Sequence, residues 1–165
     1  MYEPRATVIR GRSAFRARDL GPLPGAAAEA IVSSMDVSEL MQTPAVKTTG
    51  RETLSSVAAR MYEYGIGALA VVNGADEVLG IVTERDLLRA MAEGRGPTTT
   101  PVEWYTSRLA VTIEPDADCA AAARLMERHG IRHLPVTRAG RAVGMLSLRD
   151  LLLVEARQWE AAAVH

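Results

Sequence analysis

The chain carries one sequence pattern twice, and this internal repeat restricts its fold more than any other feature. Residues 45–50 align with residues 110–115 at an offset of 65 (110 − 45), and the offset falls to 64 (144 − 80) at Gly80 and Gly144. The residue is lost between two turn-rich segments, where loops tolerate a change of length. Two ordered copies at a fixed spacing indicate a tandem repeat whose copies pack together to bury a shared core.

The first half of each copy predicts a strand followed by an amphipathic helix. A short apolar stretch at 44–48, or at 109–113, predicts the strand. Apolar residues then recur at helical spacing, and Gly65 or Gly130 follows where a glycine commonly ends a helix. The two apolar stripes are Leu54, Val57, Ala58 and Met61 in the first copy and Cys119, Ala122, Ala123 and Met126 in the second.

The second half of each copy predicts a hairpin and a second helix. Asn73-Gly74 is a strong signal for the hairpin turn in the first copy. The predicted fold class is therefore α+β, a tandem of β-α-β-β-α repeats that pack sheet to sheet around a shared core. The predicted strands are 66–72 and 78–82 in the first copy and 131–136 and 142–146 in the second, with closing helices at 84–93 and 148–158.

The repeat pattern also predicts the organisation of the chain. Repeat 1 covers residues 36–93 and repeat 2 covers residues 102–158, and the start of repeat 1 at 36–41 aligns with 100–105. Between the repeats, residues 94–101 are rich in glycine, proline and threonine, which is typical of a linker.

Residues 1–28 differ from the rest and predict a flexible N-terminal arm, because glycine and proline interrupt every regular pattern there. A basic arm can contact nucleic acid or an acidic partner. A solvated tail is the commoner explanation, since the whole chain has a net charge of −1. The basic residues are Arg5, Arg10, Arg12, Arg16 and Arg18.

Composition excludes several classes of protein. No apolar run approaches the roughly 20 residues that cross a bilayer, and no secretory signal is visible. The single cysteine, Cys119, cannot form an intramolecular disulfide, so we expect a cytoplasmic protein. The three histidines and one cysteine do not have the spacing of metal ligands, and no nucleophile stands beside a base. We therefore expect no metal site, no required cofactor and no enzymatic activity.

The segments 80–86 and 144–150 carry the most informative side chains. In each, a strand ends in Thr83 or Ser147, and an aspartate, Asp86 or Asp150, follows three positions later. One interpretation is a capping box, which stabilises many helix starts. The other is a nucleotide site, in which the helix start and an arginine bind phosphate while the aspartate accepts the two hydroxyls of a ribose. The repetition of the whole set favours the second interpretation, and the arginines are Arg85 and Arg149.

These motifs resemble CBS domains, which are named after cystathionine β-synthase. The resemblance covers about residues 36–158 and rests on the matching segments 65–71 and 130–136 and on the two Gly-x-x-Thr/Ser-x-x-Asp motifs. It implies that the repeats are packed as a pseudo-two-fold pair with two clefts between them, in which members commonly bind AMP, ADP, ATP, S-adenosylmethionine or related adenosyl ligands. The family also suggests homodimers that form a flat disc.

The resemblance further implies two sites, each joining the aspartate of one repeat to the central strand of the other. The Asp86 site receives the larger side chains, because repeat 2 contributes His133 and Pro135 where repeat 1 contributes only Ala68 and Ala70 to the Asp150 site. His133 could neutralise a phosphate or could be a structural residue of the strand. One site comprises Thr83, Arg85, Asp86, Val111, Ile131, Arg132, His133 and Pro135, and the other comprises Ser147, Arg149, Asp150, Val46, Lys47, Ala68 and Leu69.

The first functional hypothesis is a stand-alone regulatory module that binds an adenosine-type nucleotide and signals to an unidentified effector protein. The second is a structural dimerisation protein with empty clefts, in which the Thr83–Asp86 pair only caps a helix. The third is contact with nucleic acid through the arginine-rich arm, which would weaken steeply with salt. An enzyme is the least supported class.

Overall fold

The computed structural model describes residues 35–108 and 110–153 and shows an α+β molecule built from two β-α-β-β-α repeats. The arm predicted at 1–28 and the end of the helix predicted at 148–158 lie outside the described residues. In chain order the elements are α1 Val37–Leu40, β1 Lys47–Thr49, α2 Leu54–Tyr64, β2 Ala68–Val72, β3 Val78–Thr83, α3 Glu84–Ala92, a 3-10 turn Val102–Trp104, β4 Ser107–Arg108, α4 Cys119–His129, β5 His133–Arg138, β6 Arg141–Ser147 and α5, described over 148–153.

The two helices that follow the first strand segment end as the sequence predicts. Gly65 ends α2 at φ +63° and Gly130 ends α4 at φ +61°, and this left-handed conformation costs glycine less than other residues. Their starts are capped as well, since Thr53 and Asp118 each accept a hydrogen bond from the backbone N–H three residues later. Both helices are therefore bounded by local sequence.

Each repeat contributes its start to the sheet of the other repeat. The first sheet has the order β1-β2-β3-β4, with β1 parallel to β2, and its edge strand β4 comes from the beginning of repeat 2. In the second sheet β5 pairs antiparallel with β6, and Gln42 from the beginning of repeat 1 bridges to Met145 of β6. The two repeats are consequently joined by hydrogen bonds as well as by packing.

The same exchange occurs in the two helical cores. Val37 is fully buried in the core of repeat 2, and Val102 is fully buried in the core of repeat 1. The two valines are 65 residues apart, so the alignment of 36–41 with 100–105 at an offset of 64 was wrong by one residue. The contacts across the repeats set this register, and the local sequence did not reveal it.

The sheets pack against each other through small side chains. Along β2, Leu69 and Val71 enter the core beneath the helices, whereas Ala68, Ala70 and Val72 enter a third cluster with Ala142 and Met145 of β6. This alternation follows from the period of two along a strand. Small alanines let the two sheets approach closely, so all five residues of β2 are buried.

Two local predictions for repeat 1 were wrong in detail. Ala58 is exposed, although it was assigned to the buried stripe of α2. The hairpin turn is not a two-residue Asn73-Gly74 turn: the Asn73 side chain accepts hydrogen bonds from the backbone of Ala75 and Glu77, and the left-handed residue is Asp76 at φ +64°. The asparagine therefore organises a longer loop than its sequence signal predicts.

The strand predicted at 109–113 is reduced to one bridge between Ile113 and Val136. Ile113 donates a hydrogen bond to the carbonyl oxygen of Pro135 and accepts one from the N–H of Thr137. Pro135 has no N–H with which to continue the ladder towards Val111. In repeat 1 the equivalent residue is Ala70, and there β1 pairs over three residues.

Candidate functional site

The aspartates singled out by the sequence both complete capping boxes. Asp86 accepts hydrogen bonds at Oδ2 from the N–H and the hydroxyl of Thr83, at 2.9 and 2.7 Å. Asp150 makes the same pair of contacts with Ser147, at 2.9 and 2.6 Å. The capping interpretation is thus confirmed in both repeats, and it leaves the second carboxylate oxygen of each aspartate for other contacts.

The second carboxylate oxygens lie in different surroundings. Oδ1 of Asp86 is 3.5 Å from the guanidinium of Arg89, and Asp86 is only 8% exposed. Asp150 is more exposed and lines a large cavity, and no lysine or arginine among the described residues forms an ion pair with it. The two repeats therefore present chemically different carboxylates.

The cavity beside Asp150 has a volume of about 800 Å³ and is lined by both repeats. Such a volume falls in the usual range of small-molecule sites. Repeat 1 supplies the loop before β2 and the start of that strand, and repeat 2 supplies the start of β5 and the start of α5. Of the predicted site residues, the cavity brings together Ala68, Arg132, His133, Ser147, Arg149 and Asp150.

Charges of both signs face this cavity. Arg132 and Arg149 are cationic, and Glu84 and Asp150 are anionic. Burial lowers the pKa of His133, and the nearby cation of Arg132 lowers it further, so the imidazole is neutral at pH 7. A neutral imidazole can donate one hydrogen bond and accept another.

At Gly67 the two repeats approach each other beside the cavity. A Cβ at this position would be 3.2 Å from Oε2 of Glu84 and 3.5 Å from Nε2 of His133. The carbonyl of Gly67 accepts a hydrogen bond from the N–H of Glu84, and the carbonyl of Arg132 accepts the equivalent bond from Leu148. In both repeats the helix start is therefore tied to the residue that precedes the central strand.

The residues predicted beside Asp150 on repeat 1 occupy varied positions. Leu69 is fully buried in the core of repeat 1 and Val46 packs against that core, so both side chains serve the core. Lys47 forms an ion pair with Asp76 at 2.8 Å. Ala68 is the residue of this group that lines the cavity.

The residues predicted beside Asp86 lie in different parts of the molecule. Val111 and Ile131 pack against the core of repeat 2, and Pro135 is fully buried. Arg85 is exposed at the start of α3. Arg132 and His133 face the cavity of Asp150, although the sequence assigned them to the other site.

Several lining residues were not found by sequence reasoning. Leu40 and Gln42 reach the cavity because the start of repeat 1 crosses to repeat 2, for which the sequence carries no signal. Gly67 could have been found, because a glycine directly before a buried strand often marks a close approach. The residues not predicted are Leu40, Gln42, Tyr64, Gly65, Ile66, Gly67, Glu84, Met145, Leu148, Leu152 and Leu153.

A smaller cavity of about 230 Å³ lies on the outer surface of repeat 1. The Arg89 guanidinium lies 5.1 Å from the ring centre of Tyr105, and that of Arg95 lies 5.8 Å from the ring of Trp104. Glu93 accepts a hydrogen bond from the hydroxyl of Tyr105, which raises the pKa of this phenol. These five residues line the cavity.

Within residues 35–108 and 110–153, no three side chains of histidine, cysteine, aspartate or glutamate cluster in a way that could hold a metal ion. No helix in the same ranges is long and apolar enough to cross a membrane.

The family of the chain follows from this fold and from sequence comparison. The CBS domain profile matches the chain twice, at residues 37–93 and 101–157. Together with the paired β-α-β-β-α repeats, this match shows that the chain belongs to the CBS domain family, as a CBS domain pair.

The chain is similar to several known proteins. An uncharacterized protein of Methanopyrus kandleri is 34% identical over 124 residues, covering 74% of this chain and 63% of its own length. A CBS domain protein of Pyrobaculum aerophilum, solved as a complex with AMP, is 29% identical with a TM-score of 0.67, covering 74% of this chain and 99% of the other. The CBS domain pair of protein MJ0100, in complex with 5-methylthioadenosine and S-adenosyl-L-methionine, has a TM-score of 0.71 at 20% identity, covering 75% and 98%. At 20% identity the MJ0100 structure supports the fold alone.

Proposed function

We propose that this CBS domain pair is a regulatory module that binds an adenosine nucleotide in the cavity beside Asp150. One observation carries the proposal: a single cavity between the repeats combines a capped aspartate, two arginines and the open start of a central strand. The AMP complex of the Pyrobaculum relative supports the choice of ligand class. We propose a cytoplasmic location and no enzymatic role for the module.

Each part of a nucleotide has a partner in this cavity. Oδ1 of Asp150 accepts hydroxyl groups of the ribose, while Oδ2 remains bonded to Ser147. Arg132 and Arg149 supply charged donors for phosphate oxygens. The apolar surface of Ile66 and Ala68 packs against the adenine, and exposed strand backbone reads its polar edge.

The position of the cavity between repeats provides the means of regulation. A ligand that contacts both repeats stabilises the arrangement in which both sets of contacts form. Because α3 and α5 begin at this cavity through Glu84 and Ser147, a shift of the repeats moves the outer surfaces of these helices. An effector protein or a second subunit that contacts those surfaces would respond.

We propose that the second subunit is another copy of this chain. Helices α3 and α5 expose equivalent leucines, Leu88 at 65% and Leu152 at 54%, and Met91 is 69% exposed on the same α3 helix. Trp104, in the 3-10 turn that follows α3 in the chain, is 61% exposed. Large apolar side chains grouped on a surface commonly mark an interface. Light scattering should show a dimer for the wild type and a monomer for Leu88→Glu with Leu152→Glu; a wild-type monomer at micromolar concentration would contradict the dimer.

The binding proposal is tested by thermal unfolding with AMP, ADP, ATP and S-adenosylmethionine. A ligand at 100 times its Kd adds about 2.7 kcal/mol of stability, which for this length corresponds to roughly 5–10 °C. We expect Asp150→Asn and Arg149→Gln to reduce the shift. The matched controls are Asp86→Asn and Arg85→Gln, which change the equivalent residues of the other repeat and should retain it.

The alternative functions are distinguished by the same series. No shift with any ligand at millimolar concentration would contradict the nucleotide proposal and favour a structural dimerisation role for the pair. Nucleic-acid contact through the N-terminal arm predicts instead a binding that weakens steeply with salt and is lost when residues 1–28 are deleted.

A further inference from the structure

The residue one helical turn after each aspartate differs between the two repeats. Arg89 follows Asp86 by three residues, and Leu153 follows Asp150 by three. Tyr105 from the start of repeat 2 reaches repeat 1, and its equivalent Leu40 reaches repeat 2. A cationic and aromatic pair in one repeat therefore replaces a pair of leucines in the other.

In repeat 1 this pair is connected to the aspartate. The guanidinium of Arg89 lies 3.5 Å from Oδ1 of Asp86 and 5.1 Å from the ring centre of Tyr105. The hydroxyl of Tyr105 donates a hydrogen bond to Glu93, which fixes the ring beneath the guanidinium. Since Thr83 already bonds Oδ2, both carboxylate oxygens of Asp86 are engaged within the chain.

In repeat 2 the equivalent leucines leave the aspartate accessible. Leu40 and Leu153 line the 800 Å³ cavity together with Asp150. Neither leucine can form an ion pair, so Oδ1 of Asp150 has no competing cation from that position. Repeat 1 also presents Gly67 and Ala68 to this cavity, whereas repeat 2 has Arg132 and His133 at the equivalent positions.

From these differences we infer that Arg89 blocks the Asp86 site, so that each chain binds one nucleotide, in the Asp150 cavity. This inference rests on the proposed function and deepens it. A ribose entering beside Asp86 must displace the arginine from the carboxylate and from the tyrosine ring. A ribose entering beside Asp150 meets a carboxylate oxygen that forms no ion pair with residues 35–108 and 110–153. Arg89 is thus a specificity-determining residue that makes two similar repeats inequivalent.

Isothermal titration with AMP, and separately with S-adenosylmethionine, tests the inference through the number of sites. We expect one site per chain in the wild type, abolished by Asp150→Asn and retained in Asp86→Asn. Arg89→Leu reproduces the residue of repeat 2 and should raise the number of sites to two. Arg95→Leu is the matched control, because Arg95 also stacks on an aromatic ring but does not contact Asp86, and it should keep one site.

The outcomes separate this inference from the proposed function. Two sites in the wild type, or one site that is lost in Asp86→Asn, would overturn the inference and leave nucleotide binding intact. One site in a folded Arg89→Leu protein would overturn the role of Arg89. If that variant unfolds, Arg89→Met keeps an unbranched apolar stem that can pack as the arginine stem does, and it is held to the same result. No binding in any protein would overturn both proposals.

Discussion

Gly67 of repeat 1 and His133 of repeat 2 approach so closely that a Cβ on the glycine would lie 3.5 Å from Nε2 of the histidine. The same Cβ would meet the movable carboxylate of Glu84 at 3.2 Å. A methyl group can therefore be accommodated, whereas a longer side chain must extend into the cavity. The space in front of Gly67 is consequently part of the proposed ligand site.

Gly67→Leu should weaken nucleotide binding at least about tenfold, equivalent to roughly 1.4 kcal/mol, while the protein stays folded. Isothermal titration measures the loss and circular dichroism checks the fold. Gly74→Leu is the control, because a Cβ on Gly74 meets no atom within 4 Å. Unchanged affinity in Gly67→Leu would place the ligand elsewhere.

Stability of the unliganded protein should depend on pH through His133. Burial, and then the charge of Arg132, lowers the pKa of this imidazole in the folded state, although Glu84 and Asp150 partly oppose the shift. The unfolded chain then binds the proton more readily, so the stability conferred by neutral His133 is complete above about pH 6.5 and is lost as pH falls through the folded pKa.

We expect the melting temperature to fall further between pH 7.5 and pH 5.5 in the wild type than in His133→Gln. His129→Gln is the control, because His129 is an exposed histidine in the last turn of α4 and should behave as the wild type. Equal pH profiles for wild type and His133→Gln would contradict the lowered pKa.

The thiol of Cys119 should be unreactive in the native protein. Cys119 is fully buried in the core of repeat 2, and burial raises the pKa of its thiol to about 11. The nucleophilic thiolate is therefore scarce at pH 8 and also inaccessible. Ellman's reagent should detect no thiol in the native protein and one in denaturant. Rapid reaction under native conditions would show that the core opens.

Val37 and Val102 are each buried in the core of the other repeat, so we expect each valine to stabilise that other repeat. Val37→Ala or Val102→Ala should cost about 1–3 kcal/mol, as expected for a cavity in a packed core. Hydrogen exchange should accelerate in β5 and β6 for Val37→Ala and in β2 and β3 for Val102→Ala. The two variants serve as controls for each other. Faster hydrogen exchange in the repeat that contains the substituted valine, and not in the other repeat, would contradict the crossing of these segments between the repeats.

Much of the fold could be predicted from sequence because its signals are local. The glycines that end α2 and α4 and the capping boxes at Thr83 and Ser147 each involve residues a few positions apart. Apolar runs between turn residues located the strands, although β2 and β5 begin two residues later than predicted. The main errors arose where a partner strand mattered, as at Pro135, whose missing N–H shortens the pairing of Ile113.

The candidate site could be predicted only in part. The sequence identified Asp150, Ser147, Arg149 and Ala68, and the cavity contains all four. It also placed more weight on the Asp86 site, because repeat 2 supplies larger side chains there. In the structure the small residues of repeat 1 favour the Asp150 site instead of weakening it, because Gly67 and Ala68 leave room for the cavity beside Asp150.

The sequence by itself determined that the chain contains two β-α-β-β-α repeats, that Gly65 and Gly130 end α2 and α4, and that Asp86 and Asp150 each follow a strand-ending hydroxyl residue by three positions, because these features depend on neighbouring residues. Only the tertiary structure decided that Val37 and Val102 exchange cores and that Asp86 is held by Arg89 beside Tyr105 while Asp150 faces a cavity. These outcomes depend on contacts between segments distant in the chain. Whether a side chain fills or opens a cleft is set by what packs opposite it.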